Sequence, residues 1–274
     1  MSNSYNATLV ADGHVHVYPA YNLESCFAAL DANLSKMAGR VDANGTRVVK
    51  AAFLAERSDC RFFAELGKRP PMAGDYTVRA TSERAALIVR RGGEPAFYLV
   101  AGRQVVTAER LEWLALALAG EVPDGLPADE ALDRIRAAGG APVLCWAPGK
   151  WWFRRGRVIR ELLKARRAGD FLAGDTSLRP GLWMTPLLMR RARGMGHRIV
   201  AGSDPLPFAG EERVMGTYGF SMQCAFEESR PAGSLREALL NGGPIRFLGR
   251  RGSLFGVLRR LAANEAIRKS AVRA

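Results

Sequence analysis

Segments with the spacing of strands alternate with segments with the spacing of helices along most of this chain. In 22–39 apolar residues recur every three or four positions, as in an amphipathic helix, whereas 47–54 is a short β-branched run typical of a buried strand. The alternation continues through six more segments: 128–138, 142–146, 156–168, 170–173, 185–194 and 198–202. Because parallel strands need long crossovers that are usually helices, this order predicts a largely parallel sheet.

Six or seven such units predict an α/β fold built on a (β/α) barrel, either TIM-like or distorted and seven-stranded. Short strands separated by turn signals, among them Gly92-Gly93, predict an antiparallel β-meander inserted near residues 74–108. The apolar run 111–118 fits a strand or a helix equally well. We predict one domain over 1–274, with 246–274 as a basic C-terminal helical segment.

The remaining composition is that of an ordinary globular protein, with 48% hydrophobic and 24% charged residues among 274. The four cysteines are far apart and form no C-x-x-C pair, which excludes a zinc ribbon or a thioredoxin-type motif. The sequence shows no secretory signal pattern. Its apolar runs are far shorter than the roughly 18–20 residues of a membrane span. We therefore expect a cytoplasmic protein with reduced thiols.

The charge balance is unusual. Forty Lys and Arg residues against 27 Asp and Glu give a net charge of +13, and 150–167 and 246–274 each hold eight basic residues and one acid. Such segments attract phosphates, nucleic acid or an anionic membrane, although solvated helix faces would look the same. RNP, zinc-finger and basic-zipper patterns do not occur, so nucleic-acid binding would be non-specific. P-loop, G-x-S-x-G and G-x-G-x-x-G patterns do not occur either, which disfavours NTPases, serine hydrolases and dinucleotide-binding enzymes.

Two of the three histidines stand in the motif Asp12-Gly13-His14-Val15-His16, where the first predicted strand ends. Residues at i and i+2 project from the same face of a strand, so both imidazoles can converge on one cation. Imidazole suits zinc, manganese or iron, and Asp12 could orient an imidazole from behind or bind the ion itself. A hydrogen-bonded histidine pair without an ion remains the alternative.

A second motif, Gly202-Ser203-Asp204-Pro205, follows the short apolar strand 198–202. Chemistry in a barrel is found at the carboxyl ends of the strands, where Asp204 would lie. An Asx turn before proline is the alternative.

Together the two motifs resemble those of the amidohydrolase-like and the PHP (polymerase and histidinol phosphatase) metal-dependent hydrolases. The resemblance rests on His14, His16 and Asp204 and covers only 11–19 and 199–213 closely. It implies a β/α barrel, a divalent metal ion (zinc, manganese or iron) and Asp204 as both a ligand and the catalytic base. The chain departs from these families in having no histidine between His16 and His197.

Further ligands would then have to be carboxylates or a carboxylated lysine, and Lys150 is better placed as an anion contact because it lies about four residues beyond its strand. Glu56 and Asp175 each follow a predicted strand at the expected rim, and we predict them as additional metal ligands. His197 precedes its strand and should lie at the opposite end, so we expect a structural role for it.

A third motif supplies cations and aromatic rings. Lys150 and Trp151 belong to the segment 145–157, which leads into a predicted helix. The segment holds three tryptophans and four basic residues, Lys150 among them. Lys150, Trp151 and Arg179 are the predicted substrate-binding residues, since cations with aromatic neighbours suit an anion with a flat apolar part. Buried tryptophans beside a solvated helix are the alternative.

Two functions therefore remain open. The first is a metal-dependent hydrolase acting on an anionic small molecule, a phosphoester or an amide, through a metal-activated water. The second is a catalytically degenerate barrel that binds an anionic partner such as nucleic acid or a polyanionic glycan. The number of subunits is not indicated by the sequence.

Overall fold

The structure, a computed structural model, describes residues 4–43, 45–68 and 72–273. In chain order its elements are β1 (Tyr5–Val15), α1 (Leu23–Ala38), β2 (Arg47–Leu54), α2 (Phe62–Lys68), β3 (Met72–Ala73), β4 (Tyr76–Ala80), β5 (Ala86–Arg91), β6 (Glu94–Val100), β7 (Gly102–Val106), β8 (Glu112–Leu116), α3 (Ala128–Ala137), β9 (Ala141–Cys145), α4 (Phe153–Ala165), β10 (Leu172–Thr176), α5 (Leu187–Gly194), β11 (Ile199–Gly202), β12 (Tyr218–Phe226), α6 (Pro231–Asn241), β13 (Arg246–Gly249) and α7 (Leu254–Arg273). A short 3₁₀ helix, Glu211–Val214, precedes β12.

The protein is an α/β protein with two mixed open sheets. The first has eight strands in the order β13-β12-β1-β2-β6-β5-β4-β3, and the second has five in the order β11-β10-β9-β8-β7. The prediction of a largely parallel sheet is wrong, because only the pairs β1–β2, β2–β6, β9–β10 and β10–β11 are parallel within the described residues. The run 111–118 contains a strand, β8, which is antiparallel to both of its neighbours.

A closed barrel does not form among the residues described, and the two strands at the centre of the first sheet explain why. Each strand has two edges for hydrogen bonding, and β1 uses both, for β12 and β2. β2 likewise pairs with β1 and β6. The second sheet therefore cannot continue from either strand along its length.

The sheets nevertheless meet at two places near the ends of β1 and β2. Beyond β1, the Asp204 amide donates to the His14 carbonyl at 2.9 Å. Beyond β2, Glu56 forms an isolated parallel bridge with Arg103. The carboxyl ends of these strands are thus held against the second sheet.

The predicted antiparallel strands are present, with a different boundary. β3, β4, β5 and β6 pair in sequence and extend the first sheet. β7, which we placed in the same meander, instead begins the second sheet through its pairing with β8.

Alternating side chains divide the core into three clusters. Leu9 of β1 packs in the cluster between the two sheets, while its neighbour Val10 packs in a cluster with α1. A third cluster joins the second sheet to α3, α4 and α5. The alternation follows from the strand period of two and gives a layered α/β/β/α arrangement.

The predicted helices are present with shifted ends. α1 begins after Asn22, whose side chain accepts the Ser25 amide at 2.9 Å as an N-cap. α4 begins at Phe153, three residues earlier than expected. All four cysteines are free. Within the described residues, no helix combines the length and apolarity needed to cross the bilayer.

Candidate metal centre

The two histidines of the sequence motif converge where β1 ends. His14 is the second-last residue of β1, and His16 directly follows the strand. Both side chains are buried. Their Nε2 atoms are 2.9 Å apart. The side chains therefore share one face, as the spacing predicted.

Asp204 reaches the same point from the second sheet. It adopts φ +49°, an unusual left-handed conformation for a residue other than glycine. Its Oδ1 lies 3.6 Å from Nε2 of each histidine. The strained backbone is held by the hydrogen bond from the Asp204 amide to the His14 carbonyl, and such strain is often found at functional sites.

These three side chains form a group that could hold a metal ion. One ligand atom from each lies within 4.8 Å of the other two. Two nitrogens that bind one zinc at about 2.0–2.1 Å are themselves roughly 2.9–3.4 Å apart, so the spacing of the imidazoles fits a shared ion. Imidazole nitrogen and carboxylate oxygen are donors that zinc, manganese and iron all accept.

Burial keeps both imidazoles in the form that binds metals. It lowers the pKa of His14 to about 4. It lowers the pKa of His16 to about 3, with the neighbouring His14 as a second cause. Both rings are consequently neutral at pH 7, and protons compete little for their nitrogens.

Asp204 has the opposite shift. Burial raises the pKa of its carboxyl group, against the lowering influence of His16, Arg260 and Lys150. Its side chain keeps 13% exposure, more than either histidine. It is thus the member of the group best placed to exchange a proton with a molecule entering from solvent.

Asp12 supports the site from behind without touching either imidazole ring. Its Oδ1 accepts the amides of His14 at 3.0 Å and Ser203 at 2.9 Å. Its Oδ2 accepts the Ser203 hydroxyl at 2.5 Å and the Gly216 amide at 2.8 Å. Asp12 therefore ties the end of β1 to the segment that carries Asp204, and burial raises its pKa to about 6.

Glu56 lies outside the three-residue group. Its Oε1 accepts the Phe63 amide at 2.6 Å in the first turn of α2, and its Oε2 lies 3.9 Å from Nη1 of Arg103. The carboxylate is thus engaged with a helix start and a cation, and the structure does not bring it together with His14.

Asp175 also lies outside the group. It does not follow β10, as we expected, but belongs to it. Arg179 binds both of its oxygens, at 2.7 and 2.5 Å, and the Tyr218 hydroxyl donates to Oδ2 at 2.8 Å. Asp175, predicted as a metal ligand, and Arg179, predicted to bind the substrate, thus form a buried ion pair with each other.

The other two predicted substrate-binding residues also have partners within the protein. The Lys150 ammonium group is paired with the Glu112 carboxylate, and 29% of the Lys150 side chain remains exposed. Trp151 is buried, and its Nε1 donates to the Cys145 carbonyl at 3.0 Å. His197 is buried too, with Nδ1 3.1 Å from the Phe171 carbonyl and away from the metal-ligand group.

Four residues at the site escaped sequence reasoning. Cys145 Sγ lies 3.4 Å from His14 Nδ1, and Tyr18 stacks on His16 with ring centroids 5.4 Å apart. Arg57 lies beside Tyr18 and His16, and Arg260 of α7 donates to the Asp204 carbonyl at 3.1 Å. Tyr18 continues the i, i+2 series of His14 and His16, which could have marked it; the others carry no such local pattern.

Comparison with known proteins places the chain in no described family. No family model matches the sequence, and neither does any curated protein. Among solved structures, PsfC from Pseudomonas syringae PB-5123 has a TM-score of 0.49 at 10% identity, over 97% of this chain and 99% of that one. A two-domain protein from Bacteroides vulgatus ATCC 8482, titled as containing a predicted PHP-like metal-dependent phosphoesterase, has a TM-score of 0.44 at 12% identity, over 94% of this chain and 70% of that one.

Proposed function

We propose that this protein is a metal-dependent hydrolase that cleaves an anionic small molecule, a phosphoester or an amide. The observation that carries the proposal is the convergence of His14, His16 and Asp204 from two sheets onto one point. Three protein ligands with a fourth position left for water are typical of catalytic rather than structural zinc sites. The small number of histidines in the chain is therefore no obstacle to catalysis.

Each residue has a defined part in this proposal. A divalent ion at the site would lower the pKa of a bound water toward about 7 and polarise the bond to be cleaved. His14 and His16 would hold the ion through their neutral Nε2 atoms. Asp204 directs Oδ1 toward the imidazoles, which leaves Oδ2 to accept a proton from the attacking water as general base.

The anionic group of the substrate needs a cation close to these ligands. Lys150 remains a candidate, because it is partly exposed and its charge acts on both His14 and Asp204. Arg57 is a second candidate, since it lies beside His16 and Tyr18 with 47% of its side chain exposed. Arg179 is buried against Asp175, so its part is to hold that strand end in place.

Metal content of the purified protein tests the proposal. We expect about one equivalent of zinc, manganese or iron in the wild type, and loss of it in His14→Ala/His16→Ala. The matched control is His197→Ala, which removes the other buried histidine but no ligand and should keep the metal. A screen of phosphoester and amide substrates with the refilled wild-type protein and with Asp204→Asn then follows.

Absence of metal in the wild type, even after refilling with divalent ions, would contradict the proposal. The alternative function, a degenerate site in a protein that binds nucleic acid or a polyanionic glycan, would then be preferred. Its signature is an association constant that falls steeply with salt concentration.

A further inference from the structure

Three segments of the chain are rich in arginine and contain no acidic residue at all. They are 151–160, with four arginines, 181–193, with three, and 250–260, with four. Eleven of the 40 basic residues thus stand in three short stretches without an acid of their own, and one of the eleven, Arg260, is paired with Glu211 from outside them. The net charge of +13 is concentrated there.

The structure brings the three segments together at one end of the second sheet. The rings of Trp152 and Trp183 have centroids 6.2 Å apart, which joins the first segment to the second. The Gly181 amide donates to the Gly252 carbonyl at 2.9 Å, and Arg251 donates to the carbonyls of Gly181 and Trp183. We call this combined surface the arginine-aromatic face.

Large apolar side chains project from this face into solvent. Phe153 is 89% exposed and Leu182 is 91% exposed, in the loops that begin α4 and lead to α5. Further exposed apolar residues of the same three segments are Trp152, Trp183, Met184, Leu187, Leu254, Phe255 and Leu258. A groove of about 630 Å³ runs between the first two segments, with Trp146 and Trp151 at its base. A contiguous apolar surface of this kind marks an interaction site.

We propose that the arginine-aromatic face binds the surface of an anionic lipid bilayer. Tryptophan and phenylalanine insert favourably at the level of the lipid headgroups, and leucine and methionine reach the acyl boundary. Each arginine held near an anionic leaflet strengthens binding about fivefold. The face combines both components, and its apolar side chains are already exposed, so they need no rearrangement to reach a lipid surface.

The same features argue against other occupants. In a symmetric dimer the face would meet its own copy, and arginines would oppose arginines with no acid in these segments to separate them. A nucleic acid would satisfy the arginines but would leave Leu182, Met184 and Leu187 without apolar contacts. The lipid surface is the partner that satisfies charge and apolar area together.

Vesicle co-sedimentation tests this proposal. We expect the wild-type protein to sediment with vesicles of phosphatidylcholine and phosphatidylglycerol and to stay in solution with phosphatidylcholine alone. Phe153→Ser/Leu182→Ser should weaken binding at least tenfold, and Arg154→Glu/Arg190→Glu should do the same. Met72→Ser is the matched control, because Met72 is 81% exposed on β3, outside the three segments, and its loss should leave binding unchanged.

Three results would overturn the proposal. The first is a wild-type protein that stays in solution with both kinds of vesicle. The second is a self-associated wild type that Phe153→Ser/Leu182→Ser converts to monomers in the absence of lipid, which would assign the face to a second copy. The third is vesicle binding that the arginine variant loses and the Phe153→Ser/Leu182→Ser variant retains. That result would mean that the positive charge alone attracts the protein to the vesicles. Since metal content is not part of this readout, the lipid proposal and the hydrolase proposal can fail separately.

Discussion

Asp12 is the residue on which most of the site's backbone depends. Its carboxylate accepts four hydrogen bonds, from His14, from Ser203 twice and from Gly216. Removing a buried acceptor leaves its donors unsatisfied, and each costs about 1–3 kcal/mol. We expect Asp12→Ala to lower the free energy of unfolding by about 3–5 kcal/mol in urea titrations.

The control for this substitution is Asp59→Ala, which removes an exposed carboxylate paired with the exposed Arg57. Exposed ion pairs contribute little, so its unfolding curve should overlay that of the wild type. An Asp12→Ala protein as stable as Asp59→Ala would contradict the role assigned to Asp12.

The buried histidines predict how the metal-free protein responds to acid. Unfolded imidazoles take up protons near pH 6.5, whereas in the folded state the pKa of His14 is about 4 and that of His16 about 3. Between these values the unfolded chain binds more protons, so stability falls as the pH falls from 6.5 toward 4. For the two residues together we expect a loss of about 2–4 kcal/mol between pH 7 and pH 5.

The difference between the wild type and His14→Gln/His16→Gln, both treated with chelator, isolates this effect. Asp12 and Asp204 have raised pKa values and act in the opposite direction, but both proteins contain them. The variant should lose less stability than the wild type over the same pH range. Parallel curves would show that the imidazoles are already protonated or exposed in the folded state.

At the scale of single residues, local spacing predicted the three members of the candidate metal group but not the pairings of the other charges. His14 and His16 follow from the strand period, and Asp204 follows from its place after a strand. Asp175 is engaged by Arg179, which was assigned to substrate instead, and by Tyr218, which stands on a strand that sequence reasoning left unassigned. A residue's position along one strand says nothing about which side chain another strand will place opposite it.

Among the elements, α7 contacts the site through the side chain of Arg260. Arg260 donates to Glu211 through Nε and Nη2, to the Ser177 hydroxyl at 3.0 Å and to the Asp204 carbonyl at 3.1 Å. Arg260→Ala leaves the Glu211 carboxylate buried without its cation, which costs about 3–5 kcal/mol when such a pair is largely inaccessible. We expect faster amide hydrogen exchange across α7 and weaker metal binding, because the support of the Asp204 backbone is lost.

The neighbouring Arg259 provides the control. It is exposed, so Arg259→Ala should leave both the exchange rates and the metal affinity unchanged. Equal effects of the two substitutions would indicate a general dependence on helix charge rather than the contacts of Arg260.

The elements themselves were predictable where periodicity was strong and not elsewhere. α1, α3 and α7 follow from apolar spacing, and β4 and β5 follow from alternation and turn signals. β12 shows no simple alternation because its first half is buried on both faces, between the core and α1, and α6 begins with a proline that reads equally well as a turn. β12 lies between β13 and β1 in the first sheet, so its omission changed the predicted topology.

For the whole molecule, the contact between the sheets at Gly202 decides whether the site exists. A Cβ atom at Gly202 would lie 2.4 Å from both the amide nitrogen and the Cβ of His14, so nothing larger than glycine fits. We expect Gly202→Ala to destabilise the protein by at least about 2 kcal/mol and to abolish metal binding, although all three ligands remain.

Gly243→Ala is the matched control, since a Cβ there would contact nothing within 4 Å. In thermal unfolding, Gly202→Ala should melt at a lower temperature than Gly243→Ala. In metal analysis, Gly243→Ala should keep the ion and Gly202→Ala should lose it. Retention of metal by Gly202→Ala would mean that His14 and Asp204 can converge without close contact between the sheets.

The barrel expectation failed at this same scale for a physical reason. Periodicity identified many of the strand and helix segments of the chain. It does not reveal which strands pair along each edge of a given strand. With β12 and β6 occupying the outer edges of β1 and β2, closure is blocked and two sheets result. The carboxyl ends of β1 and β11 still meet, which is why His14, His16 and Asp204 converge although the predicted barrel is absent, whereas Glu56 and Asp175 lie outside the group.

The ligands of the candidate site lie far apart in the order of synthesis. His14 and His16 leave the ribosome about 190 residues before Asp204 does. At roughly 5–20 residues per second, the nascent chain carries a two-imidazole half-site for about 10–40 s before the carboxylate is available. An ion that needs all three ligands would therefore be acquired only after Asp204 has been synthesised and the two sheets have met, so that binding would distinguish folded molecules from unfolded ones.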